Sequence, residues 1–230
     1  MNATERSVRI LPDWYPILLK VEGRKCVVIG GGSVAQRKSE GLLKAKASVF
    51  VISPKLTPAM LEWAEAGLLH WERREAVETD LDGASLVFAA TDRPIINSWI
   101  SEEAGKRAVP VNIADDGESG DFIVPAVLRR DELVLTASAS GAGPALAARI
   151  IQELAERYGP EYNENVQALR AIRLIVKAEV SDPSERRELL QAAVTDEALE
   201  EWRSLAWPQD KVKLISRLRE LSKRVNDRKG

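Results

Sequence analysis

Short strand-like runs, four of the five apolar, separated by stretches of helical periodicity, constrain this chain more than any other feature. Residues 25–29, 48–53, 70–72, 86–90 and 109–113 read as strands, with the run Lys-Cys-Val-Val-Ile at 25–29 typical of them. Residues 34–46, 58–66 and 95–107 read as the intervening helices; Pro58 suits a first turn and Gly67 a stop. A strand wetted on one face alternates apolar with polar residues. Apart from His70-Trp71-Glu72, these runs are apolar almost throughout, so both faces of the sheet must be covered. Strands alternating with helices then predict a parallel sheet in a doubly wound α/β domain.

The pattern changes after Ala114. Asp115-Asp116-Gly117-Glu118-Ser119-Gly120 is a polar, turn-rich break. Residues 122–128 and 133–138 predict two antiparallel strands joined near Arg130-Asp131-Glu132, and residues 144–158 a helix opened by Pro144. Beyond Gly159-Pro160 the chain reads as helical, with breaks at Ser181-Asp182-Pro183 and Trp207-Pro208. Three parts are expected: 1–113, 114–157 and an all-helical 158–230.

The formal net charge of -2 gives no general pull toward nucleic acid or an anionic membrane. No run approaches the roughly 18 apolar residues of a membrane span, and residues 1–12 lack the apolar core of a signal peptide. The expectation is a cytoplasmic chain. Its one cysteine, Cys26, sits inside an apolar run and reads as a buried, inert thiol. With His70 the only histidine, no dedicated zinc or iron site is expected, and no protein metal ligand is assigned. Trp202 and Trp207 read as core residues. The basic residues Arg217, Arg219, Lys223, Arg224, Arg228 and Lys229, balanced locally by Glu220 and Asp227, read as a solvated face.

The first strand runs straight into Gly30-Gly31-Gly32-Ser33-Val34-Ala35, a G-x-G-x-x-A loop opening a helix. The first glycine permits a tight turn and the third position, Gly32, lets backbone approach a pyrophosphate. Ala35 keeps the helix close to the sheet, as in Rossmann-type domains. The helix N-terminus offers free N–H groups to the anion. A bare strand-to-helix turn is the plain alternative; the flanking strand and helix favour a nucleotide site. The acid that usually holds the adenosine ribose, about 20 residues on, is missing. That place reads Ser53-Pro54-Lys55. Ser53 offers a hydroxyl to the ribose and Lys55 tolerates a 2′-phosphate, so the residues alone leave NAD and NADP both open. After the fourth strand, Thr91 and Asp92 are candidates for the nicotinamide side, or simply caps of the next helix.

These residues also carry a resemblance. Tyr15-Pro16-Ile17, the stretch from Gly30 to Ala35 with Gln36-Arg37-Lys38, Ala89-Ala90-Thr91-Asp92 with Asn97, and Val111-Asn112-Ile113-Ala114-Asp115 resemble the precorrin-2 dehydrogenase family. That family includes the dehydrogenase/ferrochelatase module of siroheme synthase. The likeness continues through Asp121-Phe122-Ile123-Val124-Pro125-Ala126 to Gly143-Pro144-Ala145-Leu146-Ala147 before Arg149.

The resemblance implies NAD-dependent oxidation of the tetrapyrrole precorrin-2 to sirohydrochlorin, and a homodimer built through residues 114–157. It places the catalytic aspartate on Asp115 and cofactor contacts on Ser33, Val34, Pro54 and Lys55. It also puts Asn112, Ser138 and Ser140 near the substrate. Composition by itself would make Asp115, Asp116 and Glu118 a solvated turn. A substrate bearing many carboxylates suits guanidinium forks, and Arg129, Arg130 and Arg149 are candidates, though each alone is more ordinarily a surface arginine. The chain departs from the family at Lys46, where glycine is common, and in Ser138-Ala139-Ser140-Gly141-Ala142-Gly143-Pro144, where the usual pattern is Ser-Thr/Ser-Gly-Gly-x-Ser-Pro. Two rival functions remain: a bifunctional dehydrogenase and ferrochelatase, and a non-catalytic NAD-sensing module. The aspartate-bearing segment speaks against the sensor.

Overall fold

The computed structural model describes residues 14–114, 119–140, 143–203 and 210–227. Five parallel strands, β1 (Lys25–Ile29), β2 (Ser48–Ile52), β3 (His70–Glu72), β4 (Leu86–Ala89) and β5 (Val111–Ile113), form one sheet in the order β3-β2-β1-β4-β5. The connections run outward from β1 to β3, then return to β4 on its other side. The strand order therefore reverses between β1 and β4, the point where sheets of this kind bind ligands at their carboxyl ends.

Side-chain alternation along β1 shows why the run had to be apolar throughout. Cys26 and Val28 pack with Val49, Val51 and Phe88 beneath α1 (Ser33–Lys44) and α2 (Pro58–Glu65), which contribute Ala35, Leu42 and Met60. Val27 and Ile29 face the other way, against Leu81 of a short 3-10 turn and Ile100 and Ala104 of α3 (Pro94–Lys106). Both faces are dry, as a doubly wound sheet requires. Burial pushes the Cys26 thiol up to about 11 against a smaller lowering by Arg24. The thiolate is the reactive form, so the native protein is expected to resist iodoacetamide at pH 8 at least ~100-fold better than the urea-unfolded chain. Equal rates in a timed labelling experiment would contradict a sealed first strand.

Three helices of this unit end in the same Schellman motif. Lys46 N–H donates to Leu43 O at 2.9 Å and Ala47 N–H to Leu42 O at 3.0 Å. Gly67 and Leu68 repeat the pair after α2, and Ala108 and Val109 after α3. The motif needs a left-handed residue, with φ of 58° at Lys46, 69° at Gly67 and 53° at Ala108. Glycine adopts this without strain; lysine and alanine do not. Lys46→Gly and Ala108→Gly are each expected to raise stability by about 0.5–1 kcal/mol, the strain relieved exceeding the entropy glycine adds to the unfolded chain. A shift of the urea midpoint to higher concentration checks this.

The chain divides into two compact units, Met1–Val124 with Ala139–Gly143, and Pro125–Ser138 with Pro144–Gly230. The second holds the antiparallel pair β6 (Ala126–Arg130) and β7 (Leu133–Ala137), with α4 (Pro144–Arg157) against it. The sequence places the first of these strands at 122–128. It begins four residues later, because residues 121–122 bond to β5 and its neighbours, as described below.

Helices α5 (Tyr162–Glu179), α6 (Pro183–Ala192), α7 (Asp196–Arg203) and α8 (Lys211–Asp227) then enclose Ile172, Val176, Leu189, Leu214 and Leu218. Trp202 is buried among them, its Nε1–H donating to Ala193 O at 2.8 Å. Trp207 lies outside the described residues. Three of the basic residues of α8 are cross-linked rather than merely solvated: Arg217 meets Glu197, Glu201 and Glu220, Arg219 meets Glu185, and Arg224 meets Glu197, while Lys223 is exposed and Arg228 and Lys229 lie outside the described residues. Among the described residues no helix is long and apolar enough to cross a membrane.

Candidate active site

At the carboxyl end of β1 the backbone turns between its two neighbours. Gly30 N–H donates to Ile52 O of β2 at 3.0 Å, and Ala90 N–H donates to Ile29 O at 2.8 Å. Gly30 sits at φ 125°, and a Cβ there would lie 2.2 Å from Ala90 O. A Cβ on Gly31 would lie 1.8 Å from Lys55 O and 2.8 Å from Ser53 Oγ. Gly31 O also accepts from Thr57 N–H at 3.0 Å, so the turn after β2 is fastened onto the glycine loop.

Gly32 differs from both. It is exposed, and nothing lies within 4 Å of where its Cβ would be. It is the N-cap of α1, which has no side-chain cap and no acid in its first turn. The free N–H groups and positive end of α1 therefore face open space, while Ala35, fully buried, holds the helix on the sheet. A glycine whose missing side chain relieves no contact within the protein, ahead of an uncapped helix, fits an anionic diphosphate. Ser33 and Val34 supply the first-turn amides.

Ser53 disagrees with the role read from sequence. Its hydroxyl donates to Lys55 O at 2.8 Å, and its own carbonyl accepts from Trp71 Nε1 at 2.9 Å. The hydroxyl proton is spent on the turn, so only its lone pairs remain for a ribose. Pro54 and Lys55 are exposed. Thr91 is likewise built into the scaffold. Its Oγ1 donates to Asn97 Oδ1 at 2.7 Å and accepts from Arg93 N–H at 3.2 Å, while Asn97 Nδ2 donates to Thr91 O at 3.1 Å. Thr91 thus braces the turn ahead of α3, whose N-cap, Arg93, carries no side-chain cap, and Asp92 is left exposed beside it.

Asp115, with Asp116, lies outside the described residues, but both flanks of its segment are held. Ala114 N–H donates to Ala89 O at 2.8 Å. On the far side, Asp121 Oδ2 accepts from Val111 N–H at 2.9 Å, and Asp121 N–H donates to Val111 O at 2.8 Å. Phe122 packs edge-on against Phe88 with ring centroids 5.3 Å apart. Asn112, 4% exposed, donates from Nδ2 to Phe122 O at 2.9 Å, and among the described residues its buried Oδ1 has no hydrogen-bond partner. An orphaned buried acceptor costs about 1–3 kcal/mol, which marks Asn112 as more than packing. Asp121 and Asn97 were not assigned site roles from sequence, although each sits inside a quoted motif. Thr57, just before Pro58, carried the legible signal of a helix cap, and its Oγ1 accepts from Met60 N–H at 3.4 Å.

The structure brings the glycine loop, Ser53 to Lys55 and Thr91 together at the carboxyl ends of β1, β2 and β4, with Asn112 in β5. The basic candidates belong to the other compact unit. Arg130 caps the end of α4, donating from Nε to Tyr158 O at 3.0 Å and from Nη2 to Ala155 O at 3.4 Å. Arg149 is exposed and pairs with Glu153 at 2.9 Å. Arg129 and Ser138 are exposed, and Ser140 is left-handed at φ 48°, where the family pattern has glycine.

A family model for NAD(P)-binding chains matches residues 17–126. Siroheme synthase 1 of Aeromonas salmonicida is 32% identical over 188 residues, which is 81% of this chain and 40% of that protein. The siroheme synthase of Methylobacillus flagellatus is 36% identical over 192 residues, 81% of this chain and 41% of that protein. This chain therefore spans about two fifths of the length of these curated relatives. Among solved structures, SirC, a precorrin-2 dehydrogenase, superposes with a TM-score of 0.71 at 26% identity, covering 90% of this chain and all of that one. With the glycine loop, the switch-point site and these likenesses in agreement, the chain belongs to the precorrin-2 dehydrogenase family.

Proposed function

We propose that this chain removes two hydrogens from precorrin-2 to give sirohydrochlorin, with NAD as hydride acceptor, in siroheme biosynthesis. The observation that carries this reading is the glycine loop: Gly30 and Gly31 pressed against Ala90 and Lys55, and Gly32 open ahead of an uncapped helix. Bound NAD supplies the acceptor for the hydride. The first-turn amides of α1 hold the diphosphate, and the lone pairs of Ser53 and the turn through Lys55 border the ribose. Asp115 is the base that takes the proton leaving with the hydride, so that both hydrogens are accounted for. The bonds from Asp121 to Val111 and from Asn112 to Phe122 fix the exit of its loop against β5. Asn112 Oδ1 is the acceptor offered to the substrate side. Of the arginines suited to a substrate carboxylate, Arg130 and Arg149 have partners within their own unit, and Arg129 is exposed.

The protein acts as a homodimer. On α4, Leu146 and Ile150 are 54% and 38% exposed one turn apart, and Val127 of β6 is 43% exposed, an apolar surface that a second copy would cover.

The test is turnover. Purified protein with precorrin-2 and NAD should yield sirohydrochlorin absorbance and one reduced cofactor per product. Absence of both signals, with precorrin-2 intact, overturns the proposal.

A further inference from the structure

In sheets of this strand order the residue ending β2 reads the adenosine ribose. A carboxylate there does two things: it accepts from the 2′-hydroxyl, and it repels a 2′-phosphate. This chain has neither effect available. The turn is Ser53-Pro54-Lys55-Leu56-Thr57, with no acid. Its position is fixed, because Lys55 O lies where a Gly31 Cβ would be and Thr57 N–H bonds to Gly31 O. The turn therefore flanks the loop assigned to the diphosphate.

Two cations stand at this strand end. Lys55 is exposed and has no ion pair among the described residues. Trp71 of β3 bonds through Nε1 to Ser53 O, and the guanidinium of Arg73 lies 5.7 Å from the Trp71 ring centroid. Arg73 too is exposed without an ion pair among the described residues. Glu72, the last residue of β3, is turned to Arg74 at 3.8 Å. A 2′-phosphate carries about -1.5 to -2 at neutral pH and would meet attraction here rather than repulsion.

Resting on the dinucleotide reading above, we infer that the adenosine end of this site accepts the 2′-phosphorylated nicotinamide dinucleotide as readily as the unphosphorylated one. Lys55 and Arg73 are the residues that set the preference. The site is indifferent to, or favours, the extra phosphate.

Calorimetric titration of the full chain with NAD and NADP separately tests this. The expected result at low salt is a Kd for NADP no more than fivefold above that for NAD. Raising the salt should weaken NADP more than NAD, since exposed cations are screened. Lys55→Glu is expected to move the NADP-to-NAD Kd ratio at least twentyfold against NADP, and Arg73→Ala severalfold in the same direction. NADP binding fiftyfold weaker than NAD, or a Lys55→Glu variant that weakens both equally, overturns the inference while leaving the dinucleotide site intact. Failure of both nucleotides to bind overturns the dinucleotide reading itself.

Discussion

Gly31→Ala is expected to destabilise the first unit by at least about 3 kcal/mol and to abolish measurable NAD binding. The new Cβ would sit 1.8 Å from Lys55 O and 2.8 Å from Ser53 Oγ. Lys55 O is backbone, held by the Ser53 hydroxyl in a turn bonded back to Gly31 O, so the contact cannot be relieved by rotating a side chain. Either the turn after β2 moves as a body or the loop after β1 does. Gly32→Ala separates this structural demand from the functional one. Gly32 has φ -85° and ψ -172°, ordinary extended values, and its Cβ would touch nothing. Alanine at an N-cap costs up to about 1 kcal/mol relative to glycine, so the melting temperature should fall by only a few degrees. The NAD affinity should nevertheless fall about 10- to 100-fold, or ~1.4–2.8 kcal/mol, because the methyl group enters the space the diphosphate needs. A Gly32→Ala protein that folds normally and binds NAD with native affinity would remove the glycine loop from the site.

Much of this was legible in the chain, and for identifiable reasons. A strand buried on both faces leaves a continuous apolar run, so the parallel sheet was written plainly at Cys26 to Ile29 and Leu86 to Ala89. The glycine loop was legible because its spacing is fixed by backbone geometry rather than by side-chain choice. What was not legible depends on partners that sequence spacing does not reveal. The Ser53 hydroxyl has a choice between a ligand and the carbonyl two residues on, and the local turn decides it. Arg130 has a choice between a substrate and the end of α4, and the helix terminus, 25 and 28 residues away in the chain, decides that. The β6 boundary shifted because Asp121 exchanges two hydrogen bonds with Val111, which makes residues 121–122 a clamp on β5 rather than the start of a hairpin. The left-handed Ala108 was hidden for another reason, a residue type that ordinarily continues a helix, whereas at Lys46 the glycine common in the family was the hint.

Asp115→Asn should lower kcat about 10²- to 10⁴-fold while leaving the NAD Kd unchanged, the range for removing a positioned base. Asparagine preserves shape and some hydrogen bonding but cannot take a proton, so the loss reports proton transfer rather than packing. Asp116→Asn provides the contrast. If the segment were only a solvated turn, both substitutions would do little, and equal, small effects on kcat would sink the assignment. The flanks say why one position in this loop can be held to the tolerance that catalysis needs. Ala114 is bonded to the end of β4, and Asp121, Phe122 and Asn112 tie the far side to β5 and to Phe88. Only a short span is left between anchors. Asp115 follows directly on Ala114, whose own N–H is bonded to the end of β4. The same logic gives the experiment a second reading in pH. With the native aspartate, kcat should fall on the acid side as the carboxylate is protonated. In Asp115→Asn that limb should vanish, leaving a low, flat profile. A variant that kept the native acid limb would place the titrating base elsewhere.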